Sequence, residues 1–264
     1  EGAQVLAEGD RVDARAVGLL AGIGIDKVLV RPRPRVVVIA TGNELVQPGL
    51  ELGRPGQIYD ANSYLIAAAC RAAGAQVFHV GIVGDDAEVL KQTIVDQLIR
   101  ADLIISSGGI SEGDYDIVKR VTPEVGVTHF LRVAMQPGKP QGFGLMGEDR
   151  IPMIMVPGNP VSSYVSFQAF IRPVLNRMMG VEPYVQSSVR AIAKSIIRSR
   201  PGVLQLARGL VTDEGSRRMV EPVGGHSSHL LNDLAKANCL ILLERDVDVV
   251  NPGEPVNVWL LNEH

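Results

Sequence analysis

The sequence VVVIATGNE at residues 36–44 decides the fold of the first half of the chain. Its first five residues form a continuous apolar, β-branched run, which is typical of a strand buried on both faces of a parallel sheet. Further strands are predicted at 76–83, 102–106, 129–134 and 153–156, and helices at 59–73, 87–100, 115–121 and 161–179. Strands and helices that alternate in this way predict a doubly wound, mostly parallel α/β sheet.

The pattern changes after Gly180, where long helical periodicities stop. Short strands are predicted at 188–199, 203–211, 218–223, 239–244 and 256–260, with one helical turn at 227–234. This spacing is typical of a small all-β barrel. We therefore predict three parts: a remnant of an N-terminal domain and linker at 1–31, an α/β domain at 32–180, and a C-terminal β-barrel domain at 181–264.

Composition and charge narrow the function classes. The 264 residues carry a net charge of −3 with a pI near 6.0, and only 4% are aromatic. Nucleic-acid binding is disfavoured, because it needs a basic field or stacking aromatic side chains. Cys70 and Cys239 lie in apolar surroundings, which predicts buried, reduced thiols.

We expect a cytoplasmic protein with no membrane insertion. The longest uncharged stretch, residues 151–171, is interrupted by three prolines and therefore reads as strand, turn and helix rather than a membrane span. No charged leader followed by an apolar run opens the sequence.

Four loops follow predicted strands of the α/β domain, at 41–44, 106–116, 136–140 and 157–162. Ligands of such sheets bind beyond the carboxyl ends of the strands. Glycine next to serine at a helix start lets backbone amides hold a phosphate, although a tight turn is the alternative for 107–109. Together the four loops predict a phosphorylated ligand.

Acidic residues accompany these loops: Glu44, Asp85, Asp86, Asp114 and Asp116. Carboxylates beside a phosphate site predict Mg²⁺ bridging the two groups. The alternative for a single acid is a helix cap, because Asp85 and Asp86 directly precede a predicted helix.

The loop sequences resemble those of the molybdopterin molybdenumtransferase family, the bacterial counterpart of the gephyrin E domain. The motifs that carry the resemblance are Thr41-Gly42-Asn43-Glu44-Leu45, Ser107-Gly108-Gly109-Ile110-Ser111, Pro137-Gly138-Lys139-Pro140, Pro157-Gly158-Asn159-Pro160-Val161-Ser162, Gln205-Leu206-Ala207-Arg208-Gly209 and Gly225-His226-Ser227-Ser228-His229. The resemblance covers essentially the whole chain. It implies that 32–180 binds molybdopterin and that the protein is an elongated homodimer.

The resemblance also implies a reaction and its residues. Such enzymes take adenylylated molybdopterin, hydrolyse the adenylate with a divalent metal, here expected to be Mg²⁺, release AMP and insert molybdate. The implied catalytic and metal-binding acids are Glu44, Asp85 and Asp116. The implied ligand-binding residues are Thr41, Ser107, Gly108, Gly109, Ser111, Arg132, Lys139, Pro157, Asn159, Arg208 and Ser228. Arg208 and Ser228 are expected to close the site from the partner subunit.

Two positions depart from the pattern of the family. Many members of that family have Lys or Arg at the position of Gln136, and they commonly have Asp at the position of Asn43. Both differences remove a charge near the site. They raise an alternative to the transferase, a gephyrin-like scaffold that binds a peptide of a partner protein and has weak or lost catalysis.

Overall fold

A computed structural model describes residues 3–110, 116–224 and 231–261. An α/β part is followed along the chain by a part that consists almost entirely of β-strands. The strands are β1 (Arg35–Thr41), β2 (Leu45–Val46), β3 (Ile58–Tyr59), β4 (Gln76–Val83), β5 (Leu103–Ser107), β6 (Gly126–Arg132), β7 (Met135–Gln136), β8 (Pro140–Met146), β9 (Ile151–Val156), β10 (Val189–Ala193), β11 (Ile197–Arg198), β12 (Leu204–Glu214), β13 (Arg217–Pro222), β14 (Cys239–Leu243), β15 (Val249–Val250) and β16 (Pro255–Leu260). The helices are α1 (Ala14–Gly22), α2 (Asn62–Ala72), α3 (Ala87–Leu98), α4 (Ile117–Val125), α5 (Pro160–Ser166), α6 (Arg172–Met179) and α7 (Leu231–Lys236).

The first sheet has the strand order β4-β1-β5-β9-β8-β6. Its first four strands are parallel, whereas β8 runs antiparallel to both β9 and β6. The carboxyl ends of β1, β4, β5 and β9 therefore lie at one edge. The loop between β6 and β8 reaches the same edge, because β6 ends there and β8 begins there.

Alternating residues of the central strand explain why helices cover both faces of this sheet. Val36 and Val38 of β1 pack with residues of α2, α5 and α6, whereas Val37 and Ile39 pack with residues of α3 and α4. All four valine and isoleucine side chains are fully buried. The continuous apolar run thus serves two cores, one on each side of the sheet.

The second sheet closes on itself. Strand β13 pairs with both β10 and β12, so the order β10-β16-β14-β12-β13 returns to β10. A separate core lies inside this barrel and includes Ala191, Val220, Ile241 and Val258. The five strands of the ring are those predicted from the sequence.

The barrel also contacts the first sheet's layer directly. Short strand β7 runs parallel to β12, with Met135 opposite Leu204 and Gln136 opposite Gln205. Leu206 of the barrel and Val161 of α5 belong to one buried core cluster. The loop that follows β6 is therefore fixed between the two parts of the chain.

The predicted fold class is confirmed: a doubly wound, mostly parallel α/β sheet is followed by a small all-β domain. Two local predictions need correction. Strand β8 was not predicted, and the predicted helix at 161–179 is interrupted by a π-helical segment, Phe167–Ile171. In the described part of the chain, no helix is both long and apolar enough to cross a membrane.

Cys70 and Cys239 are buried and free, as predicted. Burial raises the pKa of each thiol to about 12. Both sulfurs therefore stay protonated at neutral pH and pack as small apolar groups.

Candidate functional site

All four predicted loops lie at the carboxyl edge of the first sheet, and hydrogen bonds join three of them. The Thr41 hydroxyl at the end of β1 donates a hydrogen bond to the carbonyl of Ser107, over 3.3 Å. The backbone N–H of Gly108 donates to the carbonyl of Val156 at the end of β9, over 3.2 Å. The ends of β1, β5 and β9 are therefore linked to one another by hydrogen bonds.

The turn after β5 requires glycine at two consecutive positions. Gly108 and Gly109 have φ angles of +96° and +66°. A Cβ on Gly108 would lie 2.6 Å from the carbonyl oxygen of Thr41, and one on Gly109 would lie 2.6 Å from Cγ2 of Val118. Both the left-handed backbone and the close neighbours exclude larger residues. Consecutive left-handed glycines also leave the backbone of this turn accessible to a ligand.

The loop after β9 is held by the first turn of α5. Ser163 donates its hydroxyl hydrogen to the carbonyl of Pro157, and its N–H donates to the carbonyl of Asn159 over 2.9 Å. Asn159 precedes the helix without a side-chain capping bond. Pro157 is buried and Asn159 half-buried, so this loop presents a rigid backbone beside the glycine turn.

Asn62, which the sequence analysis did not include in the site, connects the two loops. Its Nδ2 donates to Oγ of Ser107 over 2.8 Å and to the carbonyl of Gly158 over 2.7 Å. Asn62 is only 8% exposed. The sequence offered one signal, an amide side chain at the start of the helix that follows the first loop.

Two of the predicted acids lie against the turn after β1. The Asp85 carboxylate accepts from the N–H of Asn43 over 3.2 Å, and the Asn43 side chain accepts from the N–H of Asp85 over 3.1 Å. The exposed Glu44 carboxylate folds over Gly42, where a Cβ would lie 2.5 Å from Glu44 Oε2. Asp86 rather than Asp85 caps α3, by accepting from two backbone N–H groups. Asp85 is thus not explained by capping.

Asp116 begins α4 without a side-chain capping bond. Its buried Oδ2 lies 3.9 Å from Nζ of Lys119, which is an ion pair at the limit of contact. Among residues 3–110, 116–224 and 231–261, no three His, Cys, Asp or Glu side chains form a group that could hold a metal ion. Glu44, Asp85 and Asp116 are therefore not assembled as one ligand cluster there.

A cavity of about 300 Å³ lies where the barrel meets the loop after β6. Gln136 and Pro137 line one wall, and Arg198, Arg200 and Arg208 contribute guanidinium side chains from the barrel. The described lining residues include no carboxylate. Such a cavity suits an anionic ligand.

Arg208 is the buried arginine of this cavity, at 7% exposed. Burial lowers the pKa of its guanidinium group, and the nearby charge of Asp233 partly opposes that shift. Arg208 and the loop at 136–137 line this cavity within one chain. That Arg208 also closes the site of a partner subunit stays a prediction.

The other two predicted cations lie apart from this cavity. Arg132, at the exposed end of β6, lines a smaller cleft of about 190 Å³ together with Lys119 and Gln141. Lys139 is exposed and lines neither cleft. Ser111 and Ser228 lie outside the residues that the structure describes.

The family model described as "Probable molybdopterin binding domain" matches residues 37–177, which is more than half of the chain. The chain belongs to this family. A second model, "MoeA C-terminal region (domain IV)", matches residues 190–261. The molybdopterin-binding match contains all four loops at the sheet edge, and the second match contains the barrel.

Individual relatives confirm the resemblance seen in the loop sequences. Molybdopterin molybdenumtransferase 1 of Mycobacterium tuberculosis is 41% identical over 261 residues, covering 97% of this chain and 61% of the relative. Molybdopterin molybdenumtransferase of Haemophilus influenzae is 32% identical over 264 residues, covering 99% and 65%. The crystal structure of the molybdopterin biosynthesis moea protein from Pyrococcus horikosii superposes with a TM-score of 0.81 at 31% identity, covering 98% of this chain and 62% of that one. The chain thus spans less than two thirds of each of these relatives.

Proposed function

We propose that the protein is a molybdopterin molybdenumtransferase of molybdenum cofactor biosynthesis. It takes adenylylated molybdopterin, hydrolyses the adenylate, releases AMP and inserts molybdate. One observation carries the proposal: the glycine turn after β5 and the loop after β9 are fixed together at the carboxyl edge of a molybdopterin-binding fold. Relatives up to 41% identical that are named for this transfer support it.

The loops at the sheet edge supply the ligand contacts in this proposal. Backbone N–H groups and small hydroxyls suit phosphate oxygens, because they donate hydrogen bonds without bulk. We assign pterin and phosphate binding to Thr41, Ser107, Gly108, Gly109, Ser111, Pro157 and Asn159. The hydrogen bonds that Thr41 and Gly108 donate to the carbonyls of Ser107 and Val156 hold the two loops in place before the ligand arrives.

The cations supply the contacts for negative charge. Molybdate is a dianion, and guanidinium or ammonium groups stabilise such oxyanions by charge-assisted hydrogen bonds. We assign this role to Arg208, Arg132 and Lys139 and to the arginine-lined cavity beside Gln136. Ser228 is assigned a neutral hydrogen bond to the ligand. Arg208 is best placed because it is largely buried. A charge interacts more strongly with an anion in the protein interior than in water.

Magnesium is part of the proposal, held by the substrate together with the acids of the site. Mg²⁺ in enzymes is commonly bound through one or two carboxylates and substrate phosphates, so a complete protein cage is not required. The carboxylates of Glu44, Asp85 and Asp116 have the right donor chemistry. When bound, the ion neutralises charge on the phosphoanhydride that is broken.

The acidic residues also accept the proton that hydrolysis releases. Water adds to phosphorus, the phosphoanhydride bond breaks, and AMP leaves. A carboxylate beside the water accepts its proton, a role that general-base catalysis gives to Asp and Glu. We propose Glu44, Asp85 and Asp116 as the residues that orient this water and the phosphates.

We further propose that the protein is a cytoplasmic homodimer. Its two main domains span residues 32–180 and 181–264. Apolar side chains of and after α1 support a partner surface: Val17, Leu19, Ile23 and Leu29 are 54%, 49%, 50% and 104% exposed. Sedimentation velocity at micromolar concentration tests the dimer, and a single monomer peak contradicts it.

The alternative, a gephyrin-like scaffold for a partner peptide, is not favoured, since the relatives are named as transferases.

AMP release tests the proposed function. The protein is incubated with adenylylated molybdopterin and Mg²⁺, with and without molybdate, and AMP is quantified by chromatography. The proposal expects one AMP per pterin, dependent on the cation. Binding of the pterin with no AMP formed under any of these conditions contradicts the transferase and favours the scaffold.

A further inference from the structure

The amide of Asn62 has a defined orientation. Its Nδ2 is 2.7 Å from the Gly158 carbonyl, which can only accept a hydrogen bond, so this atom must be the amide nitrogen. The same nitrogen donates to Ser107 Oγ. One buried side chain therefore links the loops after β5 and β9.

This role is not that of a helix cap. The residue that precedes α2 is Ala61, and the first turn is satisfied by Asp60, whose Oδ1 accepts from the Ser63 N–H over 3.0 Å. The Asn62 side chain points its donor at two other loops instead. Helix stability alone does not explain an asparagine here.

The carbonyl oxygen of the same amide is without a hydrogen-bond donor among the described residues. Oδ1 of Asn62 is buried and accepts no hydrogen bond from any residue that the structure describes. Leaving a buried acceptor unsatisfied costs free energy, so such an atom in a ligand site points to a ligand group. Asn62 is more than nine-tenths buried and touches both loops of the site.

We propose that Asn62 is a positioning and ligand-binding residue of this site. Its Nδ2 ties the two loops together, and its Oδ1 accepts a hydrogen bond from an N–H or O–H of the bound substrate. The proposal rests on the proposed function. The pterin ring and the adenylate both carry such donors, and the experiment distinguishes them.

The test compares Asn62→Ala and Asn62→Asp with Asn238→Ala. Asn238 makes an equivalent bridge in the barrel, accepting from the Val211 N–H over 2.7 Å and donating to the Val211 carbonyl over 2.9 Å. Dissociation constants are measured separately for molybdopterin and for AMP. We expect Asn62→Ala to weaken one of them at least ten-fold, about 1.4 kcal/mol, and Asn238→Ala to weaken neither. The ligand that is weakened identifies the donor.

The pH profile of Asn62→Asp separates this role from mere space filling. At pH 8 the introduced carboxylate cannot donate to the Gly158 carbonyl, so affinity falls. Burial beside an acceptor raises the pKa of that carboxyl. At pH 5.5 the protonated acid donates again, and affinity recovers relative to the wild type. A ratio of variant to wild-type affinity that is independent of pH overturns the proposal.

Amide hydrogen exchange tests the loop tie without any ligand. We expect Asn62→Ala to speed exchange at Gly108 and Ser163, whose N–H groups bond within the two loops, while Asn238→Ala does not. Unchanged exchange at these amides overturns the tie. If exchange rises but the wild type binds neither molybdopterin nor AMP, the proposed function and the ligand contact fail while the tie stands.

Discussion

Gly108→Ala should destabilise the protein more than the same change at a glycine in open space. Gly108 has φ +96°, and a Cβ there would lie 2.6 Å from the backbone oxygen of Thr41. Gly253 provides a matched control, since its φ is +87° and nothing lies within 4 Å of the position of its Cβ. The left-handed backbone lowers the free energy of unfolding of both variants by about 1–2 kcal/mol.

Only Gly108→Ala is further destabilised, by the close contact of its methyl group with Thr41. Forcing a methyl group into a packed position costs about 1–3 kcal/mol, because a strand end cannot move as a flexible side chain can. For a chain of this size, each kcal/mol lowers Tm by about 2–4 °C. Gly108→Ala should therefore melt about 2–12 °C below Gly253→Ala.

Thermal unfolding followed by circular dichroism measures this difference, and a molybdopterin titration accompanies it. We expect Gly108→Ala also to lose ligand affinity, whereas Gly253→Ala keeps it. Equal melting temperatures for the two variants would refute the close contact of the glycine turn with β1. Equal affinities would remove this turn from the ligand site.

Three other changes test separate parts of the account. Asp116→Asn should abolish Mg²⁺-dependent AMP release while adenylylated molybdopterin still binds, because it removes a negative charge with little change in volume; wild-type AMP release would exclude Asp116. Gln136→Lys adds a cation to the cavity of Arg208. Because a charge-assisted hydrogen bond then forms with molybdate, the molybdate concentration for half-maximal insertion should fall about ten-fold. An unchanged concentration would place Gln136 away from the oxyanion. Arg35 lowers the pKa of Asp102, so Asp102→Asn should lower Tm at pH 7, and this deficit should vanish as the pH falls below about 4; a deficit that is constant with pH would contradict the ion pair.

The central strands and the loops after them could be predicted because their sequence signals are local. A continuous apolar run such as 36–40 fits only a strand covered on both faces, and loops at the ends of such strands must share an edge. The strand order, which only the structure gives, places β5 beside β9 and so brings Ser107 next to Pro157.

Strand β8 could not be predicted because glycine conceals its pattern. Its sequence PQGFGLM has glycines at 142 and 144, and glycine has low strand propensity. Packing gives the reason for these residues: a Cβ on Gly142 would lie 2.9 Å from Cβ of Met155, and one on Gly144 would lie 3.0 Å from the carbonyl oxygen of Val127. Only the assembled sheet shows that the glycines are required.

The contacts of single polar side chains were also beyond sequence reasoning. Asn62 joins Ser107 and Gly158, which are 45 and 96 residues away along the chain. The pairing of β7 with β12 brings Arg208 beside the loop at 136–137 of the same chain. Such contacts depend on how distant elements pack, and no local pattern encodes them.

The central claim is that the carboxyl edge of the first sheet binds the substrate. A crystal structure of the protein with adenylylated molybdopterin tests it most directly. We predict that the ligand lies between the turn at Gly108–Gly109 and the loop at 157–159, with phosphate oxygens within hydrogen-bond distance of the backbone N–H groups of Gly109 and Gly158. A ligand bound only elsewhere, with this edge free, would contradict the account.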